Sequence, residues 1–290
     1  MTGRKDTQPI DPTDESGDAS RPIFLFSSGG RTGSTLLQRL LCSVPGVLIW
    51  GENRGAIAHL EEASRIIGGL ESLGQKHAEE FRKKGSLGWI AMMNPPTHDF
   101  RRAIRGFLHT YFAQTACRLG RPRWGFKEVR YGRSIARFLA DLYPEARFLL
   151  LVRHPEDCIA SARATSSFGL AKGLLGEVGG PEQFLRIWAE LAADFLDDWG
   201  DLHRLSLRYE DLVASPEETL ASVGRFLGIP PGSFDLDAMG VRRRGWLELP
   251  PRLVQEDDHH LRSSWLWPVA SRWGYAPRSC EARRTPGVRS

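Results

Sequence analysis

Apolar residues along this chain fall into short unbroken runs that alternate with longer stretches spaced at three and four residues. The first run, Pro22-Ile23-Phe24-Leu25-Phe26, breaks at Ser27-Ser28-Gly29-Gly30. Leu36, Leu37, Leu40, Leu41 and Val44 follow at helical spacing, and Pro45-Gly46 closes that helix. Further strands are predicted at Val47–Trp50, Trp124–Val129, Arg147–Val152 and Leu205–Tyr209. Phe184, Ile187, Trp188, Leu191, Phe195 and Trp199 mark one face of a long helix. Ser215-Pro216-Glu217-Glu218 reads as an N-cap, a first-turn proline and a capping-box glutamate ahead of another helix. Continuous apolar strands separated by helices predict an α/β fold, with a central parallel sheet covered by helices on both faces.

Composition narrows the class. The chain has 290 residues, enough to bury a large core. Its apolar fraction is an ordinary globular one. The formal charge is +4. Residues 1–20 hold Arg4 and Lys5 against Asp6, Asp11, Asp14, Glu15 and Asp18, so this net of −3 leaves +7 on residues 21–290. The first 20 residues, acidic and rich in Pro, Ser, Gly and Thr, are expected to be a disordered lead-in. Residues 278–290 are expected to be a flexible basic tail, and 21–277 one domain. A basic body suggests an anionic ligand. Cys42, Cys117, Cys158 and Cys280 lack the spacing of a zinc or redox motif, so no metal site is expected. With no apolar leader and no apolar run long enough to span a bilayer, the expectation is a cytoplasmic protein.

The segment from Ser27 to Thr35 lies between a buried strand and an amphipathic helix. Glycines let such a turn bring its N–H groups against an anion, and the helix N-terminus adds partial positive charge. Ser34 and Thr35 add hydroxyls. A nucleoside-triphosphate P-loop would read G-x-x-x-x-G-K-[ST]. Here Gly29 and Gly33 are one residue too close, Ser34 stands where the lysine should be, and the cation is Arg31, inside the loop.

Gly30-Arg31-Thr32-Gly33-Ser34-Thr35 resembles the 5′-phosphosulfate loop of the sulfotransferases, with Gly30 in place of the usual proline and Thr32 in place of serine. A second match follows the strand Arg147–Val152, where Arg153 and Ser161 keep the eight-residue spacing of that family's 3′-phosphate motif. Leu207-Arg208-Tyr209-Glu210-Asp211-Leu212 resembles a later family segment. The resemblance implies the P-loop-NTPase-like sulfotransferase fold. It also implies 3′-phosphoadenosine 5′-phosphosulfate as co-substrate, held by Gly30 to Thr35, Arg153, Ser161 and Tyr209, with no metal required.

Transfer of a sulfuryl group is an in-line displacement in which fixed cations can take the place of Mg²⁺. Arg31 is assigned to the leaving oxygen, and Lys127, in Gly125-Phe126-Lys127-Glu128, resembles the family lysine that faces the sulfuryl group. Glu52, in Trp50-Gly51-Glu52-Asn53, resembles the catalytic base of the tyrosylprotein and carbohydrate-type enzymes. Partial desolvation would raise its pKa, as base work requires. Glu128 is the alternative base. Residues 57–122 match the part of the family that varies most, and are expected to be a helical insertion binding the acceptor. The acceptor that the resemblance implies is a small-molecule, carbohydrate or peptide hydroxyl. Arg242-Arg243-Arg244 is a basic run that either closes over the 3′-phosphate or is solvated. No nucleic-acid motif accompanies it. His154 reads as a turn residue and His259-His260 as a solvated pair. The competing functions are an ATP-dependent kinase and a non-catalytic nucleotide-binding regulator.

Overall fold

A computed structural model describes residues 19–165, 180–240 and 259–278. Most of the lead-in, the run Arg242–Arg244 and residues 279–290 lie outside the described residues.

Five strands, β1 (Ile23–Ser27), β2 (Val47–Trp50), β3 (Arg123–Glu128), β4 (Arg147–Val152) and β5 (Arg204–Arg208), form one sheet in the order β2-β3-β1-β4-β5. Every pairing is parallel. The period-two alternation of a strand sorts its residues between two cores. Phe24, Phe26, Trp124, Phe126, Phe148 and Leu150 point to one face. Ile23, Leu25, Val47, Ile49, Leu149 and Leu151 point to the other. The first face is therefore aromatic and the second aliphatic, and each is covered by helices. On the aliphatic side lie α1 (Ser34–Ser43), α9 (Tyr209–Ala214) and α10 (Pro216–Leu227). On the aromatic side lie α6 (Arg133–Leu142), α7 (Pro155–Ala164), α8 (Pro181–Leu196) and α11 (Leu266–Arg272).

Between β2 and β3 the chain makes a helical excursion: α2 (Ala56–Gly69), α3 (Glu71–Lys84), α4 (Thr97–Leu108) and α5 (Gln114–Arg118). The last two are joined through a π-helical stretch, His109–Ala113, into one continuous rod. Phe112 in that stretch stacks on Trp124 with ring centroids 5.8 Å apart, so the π turn sits directly on the aromatic face.

The predicted strands are all present, shifted by one residue in three cases: β1 runs from Ile23 to Ser27 rather than from Pro22 to Phe26. β3 ends at Glu128, and β5 ends at Arg208 because Tyr209 opens α9. Trp199 lies beyond α8 and folds back on it, its Nε1 donating to the Asp194 carbonyl at 2.8 Å. The predicted capping box is incomplete. Ser215 occupies the N-cap of α10, but its side chain makes no cap hydrogen bond, and its carbonyl instead accepts from Thr219 N–H. His154 does act as a turn residue: its Nδ1 accepts from Glu156 N–H and caps α7. Arg278, the first residue of the expected tail, donates to both carboxylate oxygens of Asp157 on α7.

Candidate active site

In an open parallel sheet, ligands collect outside the carboxyl ends of the strands where the chain order reverses. Here β1 lies between β3 and β4, so its carboxyl end is that point. The loop after β1 turns tightly. Ser27 Oγ donates to the Gly29 carbonyl at 3.1 Å, and Thr32 Oγ1 reaches the same carbonyl at 3.4 Å. Thr32 is fully buried, so its hydroxyl holds the turn from inside. Arg31 has φ of 65°, a left-handed conformation that costs a non-glycine residue about 1–2 kcal/mol. Gly33, also left-handed with φ of 90°, is the N-cap of α1. The first-turn amides of Ser34 and Thr35 have no acceptor within the helix.

The two predicted motifs meet. Arg31 Nε donates to Ser161 Oγ at 3.0 Å, although 130 residues separate them. Arg153 Nη1 donates to the Arg31 carbonyl at 3.1 Å. The Tyr209 ring lies against Arg153, whose guanidinium carbon is 4.3 Å from the ring centroid. Tyr209 also closes the back of the loop, since a Cβ on Gly33 would come within 2.2 Å of its ring. Glu210 pins the turn after β4, accepting from His154 N–H at 2.9 Å and from the Tyr275 hydroxyl at 2.7 Å. Burial and the neighbouring Arg153 charge both lower the pKa of Arg31. Arg153 Nε is buried without a hydrogen-bond partner. Two crowded guanidiniums and an unused N–H donor suit an anion. Cys158, behind the loop, is fully buried, which pushes its thiol up to about 12 and leaves it a packing residue.

One cavity is lined by Gly30, Arg31, Gly33, Ser34, Thr35, Glu52, Lys127, Arg153 and Ser161, with Val129. Nearly every residue singled out in the sequence faces this space. Thr32 and Tyr209 support it from behind. The carboxyl ends of β1 to β4 thus converge on one volume.

Lys127 Nζ donates to Glu52 Oε1 at 2.6 Å, and Arg130 Nη1 to Glu52 Oε2 at 3.3 Å. The expected rise in the Glu52 pKa is reversed. Burial does push it up, but the two cations outweigh burial and hold the carboxyl below its ordinary value. Glu128 is built differently. It is fully buried and ion-paired with Arg130. It also accepts the N–H groups of Asn53 and Gly55 through Oε2 and of Val129 through Oε1. Those bonds shape the turn carrying Glu52, where Arg54 has φ of 56°. Glu128, the alternative base, is thus fully buried and held by these partners.

Glu52 also borders a second cavity, of about 310 Å³, with Trp50, Gly51, Asn53, Tyr111, Phe112 and Thr115. The π-helical stretch places Tyr111 and Phe112 there, and the Phe112 carbonyl accepts from Trp50 Nε1 at 3.2 Å. Sequence reasoning gave no role to Arg130 and did not single out these aromatics. Arg130 stands three residues after Lys127, and Tyr111 and Phe112 lie in the expected insertion.

The sulfotransferase family model matches residues 22–233. The chain belongs to the sulfotransferase family. Among solved structures it is similar to a sulfotransferase domain from the curacin biosynthetic pathway, with TM-score 0.52 and 18% identity over 88% of this chain and 98% of that one. That likeness places the sheet and its helices in the P-loop-like sulfotransferase fold. It is also similar to a sulfotransferase domain from the Synechococcus PCC 7002 olefin synthase (TM-score 0.47, 21% identity, 89% and 96% covered). A comparison with curated proteins returns no match. Among the described residues, no helix is long and apolar enough to cross a membrane, and no group of three or more His, Cys, Asp or Glu could hold a metal ion.

Proposed function

We propose that this sulfotransferase moves a sulfuryl group from 3′-phosphoadenosine 5′-phosphosulfate to the hydroxyl of a small-molecule, carbohydrate or peptide acceptor, with Glu52 as base. One observation carries the reading: a single cavity gathers the loop 30–35, Lys127, Arg153, Ser161 and a carboxylate, Glu52. The loop amides with Arg31 suit the 5′-phosphosulfate, and Arg153 with Ser161 suits the 3′-phosphate. The acceptor oxygen attacks sulfur as the bond from sulfur to the 5′-phosphate oxygen breaks. Its proton passes to Glu52, while Lys127 and Arg31 offset the charge that develops on the departing oxygen. The acceptor approaches through the aromatic cavity, so residues 57–122 serve as the acceptor side of a domain spanning 21–277.

The experiment pairs binding with turnover. 3′,5′-Adenosine bisphosphate should raise the Tm without added metal, by about 2.7 kcal/mol of linkage at a hundredfold excess over Kd. Stabilisation by Mg-ATP alone would favour a kinase and overturn the reading. Glu52→Gln should keep that stabilisation and lose about 10²–10⁴ in turnover of labelled donor with an acceptor extract. Full activity in that variant removes Glu52 as base. Binding without turnover in the wild type would indicate a nucleotide-binding regulator.

A further inference from the structure

Two cations hold Glu52, and they differ in what else they face. Lys127 lines the cavity with Arg31 and Arg153, so an anion placed there competes with Glu52 for its ammonium group. Arg130 is absent from that lining. It borders a separate cleft between α2 and α6, beside His59 and Glu61. Its side chain is 2% exposed and ion-paired with the fully buried Glu128, which is in turn tied to the backbone of Asn53, Gly55 and Val129. Tyr131, next along the chain, donates to Asn53 Oδ1 at 2.5 Å and accepts from Ile57 N–H at 3.0 Å. The end of β3 is thus a fixed platform beneath the turn that carries Glu52. One oxygen of that carboxylate rests on a group that can leave, and the other on a group that cannot.

We infer that Arg130 is a positioning residue. It keeps hold of Glu52 by Oε2, so that Oε1, released when Lys127 turns to the donor, is the atom that takes the acceptor's proton. The inference rests on the donor reading above. It makes donor binding the event that frees the base, because a phosphate in the cavity that Lys127 lines draws the ammonium group away from Oε1. The proton moves from the acceptor hydroxyl to Oε1, and the electron pair of the breaking bond leaves with the 5′-phosphate oxygen. The charged and titratable groups around Glu52 are Lys127 and Arg130 in contact, Glu128 behind Arg130, Arg31 and Arg153 across the cavity, and Tyr111 in the aromatic cavity.

The test reads the carboxyl directly and needs no acceptor. In protein labelled with ¹³C at glutamate carboxyls, the Glu52 resonance is the one lost in Glu52→Gln, and its titration midpoint is followed with and without 3′,5′-adenosine bisphosphate. Bisphosphate should raise the wild-type midpoint, since Lys127 is drawn away. Arg130→Met should raise the bound midpoint by about one further pH unit, the effect of removing an adjacent opposite charge, and should leave bisphosphate affinity unchanged. Arg130→Lys should restore much of the wild-type midpoint. An equal bound midpoint in wild type and Arg130→Met overturns the proposal, as does weakened bisphosphate binding in that variant. Should Arg130→Met not fold, Arg130→Met/Glu128→Gln removes both buried charges together and must still show a rise, smaller because the like charge of Glu128 is lost as well. Failure of the wild type to bind bisphosphate overturns the donor reading itself, and is seen before any variant is made.

Discussion

The two cavities that meet at Glu52 are made of different materials. One is walled by guanidinium groups, an ammonium group and backbone amides at the ends of the strands. The other is walled by Trp50, Tyr111 and Phe112, with no Lys or Arg among the described residues that line it. The first is assembled from parallel strands and short loops whose registers are fixed by the sheet. The second depends on a helix that must come back onto the sheet after a long excursion. On the proposed function, anion recognition sits on the rigid part of the fold, and acceptor contact on the part that sequence can vary without disturbing the strands.

Substitutions on one side should leave the other intact. Arg153→Ala removes the guanidinium that bonds the Arg31 carbonyl and lies against Tyr209. It should weaken 3′,5′-adenosine bisphosphate by about 10- to 100-fold, the range for a lost charged hydrogen bond, while acceptor KM at saturating donor stays put. Gly33→Ala sets a methyl within 2.2 Å of the Tyr209 ring at a left-handed residue. The expected loss is about 1–3 kcal/mol of stability, read as a lower midpoint in a urea melt, together with weaker bisphosphate binding. Tyr111→Ala acts on the aromatic side. Because Tyr111 is 62% exposed, the effect should be the smallest, about 0.5–1.5 kcal/mol in acceptor KM with bisphosphate affinity unchanged. A Tyr111→Ala variant that lost bisphosphate instead would mean the two cavities are not separable.

The cradle was legible in the sequence because its signals are local. Arg31 to Thr35 and Arg153 to Ser161 are short spacings beside apolar runs, and any parallel sheet brings such strand ends together. The support beneath Glu52 was not legible in the same way. Glu128 reaches the turn at residues 53–55 across 75 and 73 positions, and nothing in the run Lys127-Glu128-Val129-Arg130 says which side chain turns inward. The lowered Glu52 pKa departs from the sequence expectation for the same reason. Its burial followed from position, but its two cations arrive from another strand. Trp199 kept the helical period and yet lies past the end of α8, where its indole serves the Asp194 carbonyl.

The π-helical stretch at His109–Ala113 has a consequence for chain length. A π turn carries more residues per turn than an α-helix, so the residues after it are out of phase with those before it. Shortening this stretch by one residue would return the rod to a single α-helical phase and re-aim the side chains within the stretch, while the turns on either side stay nearly in place. Phe112 could then no longer both stack on Trp124 and offer its carbonyl to Trp50. The width of the space beside Glu52 is thus set by residue count, and a single deletion there would redraw it without changing any side chain that lines it.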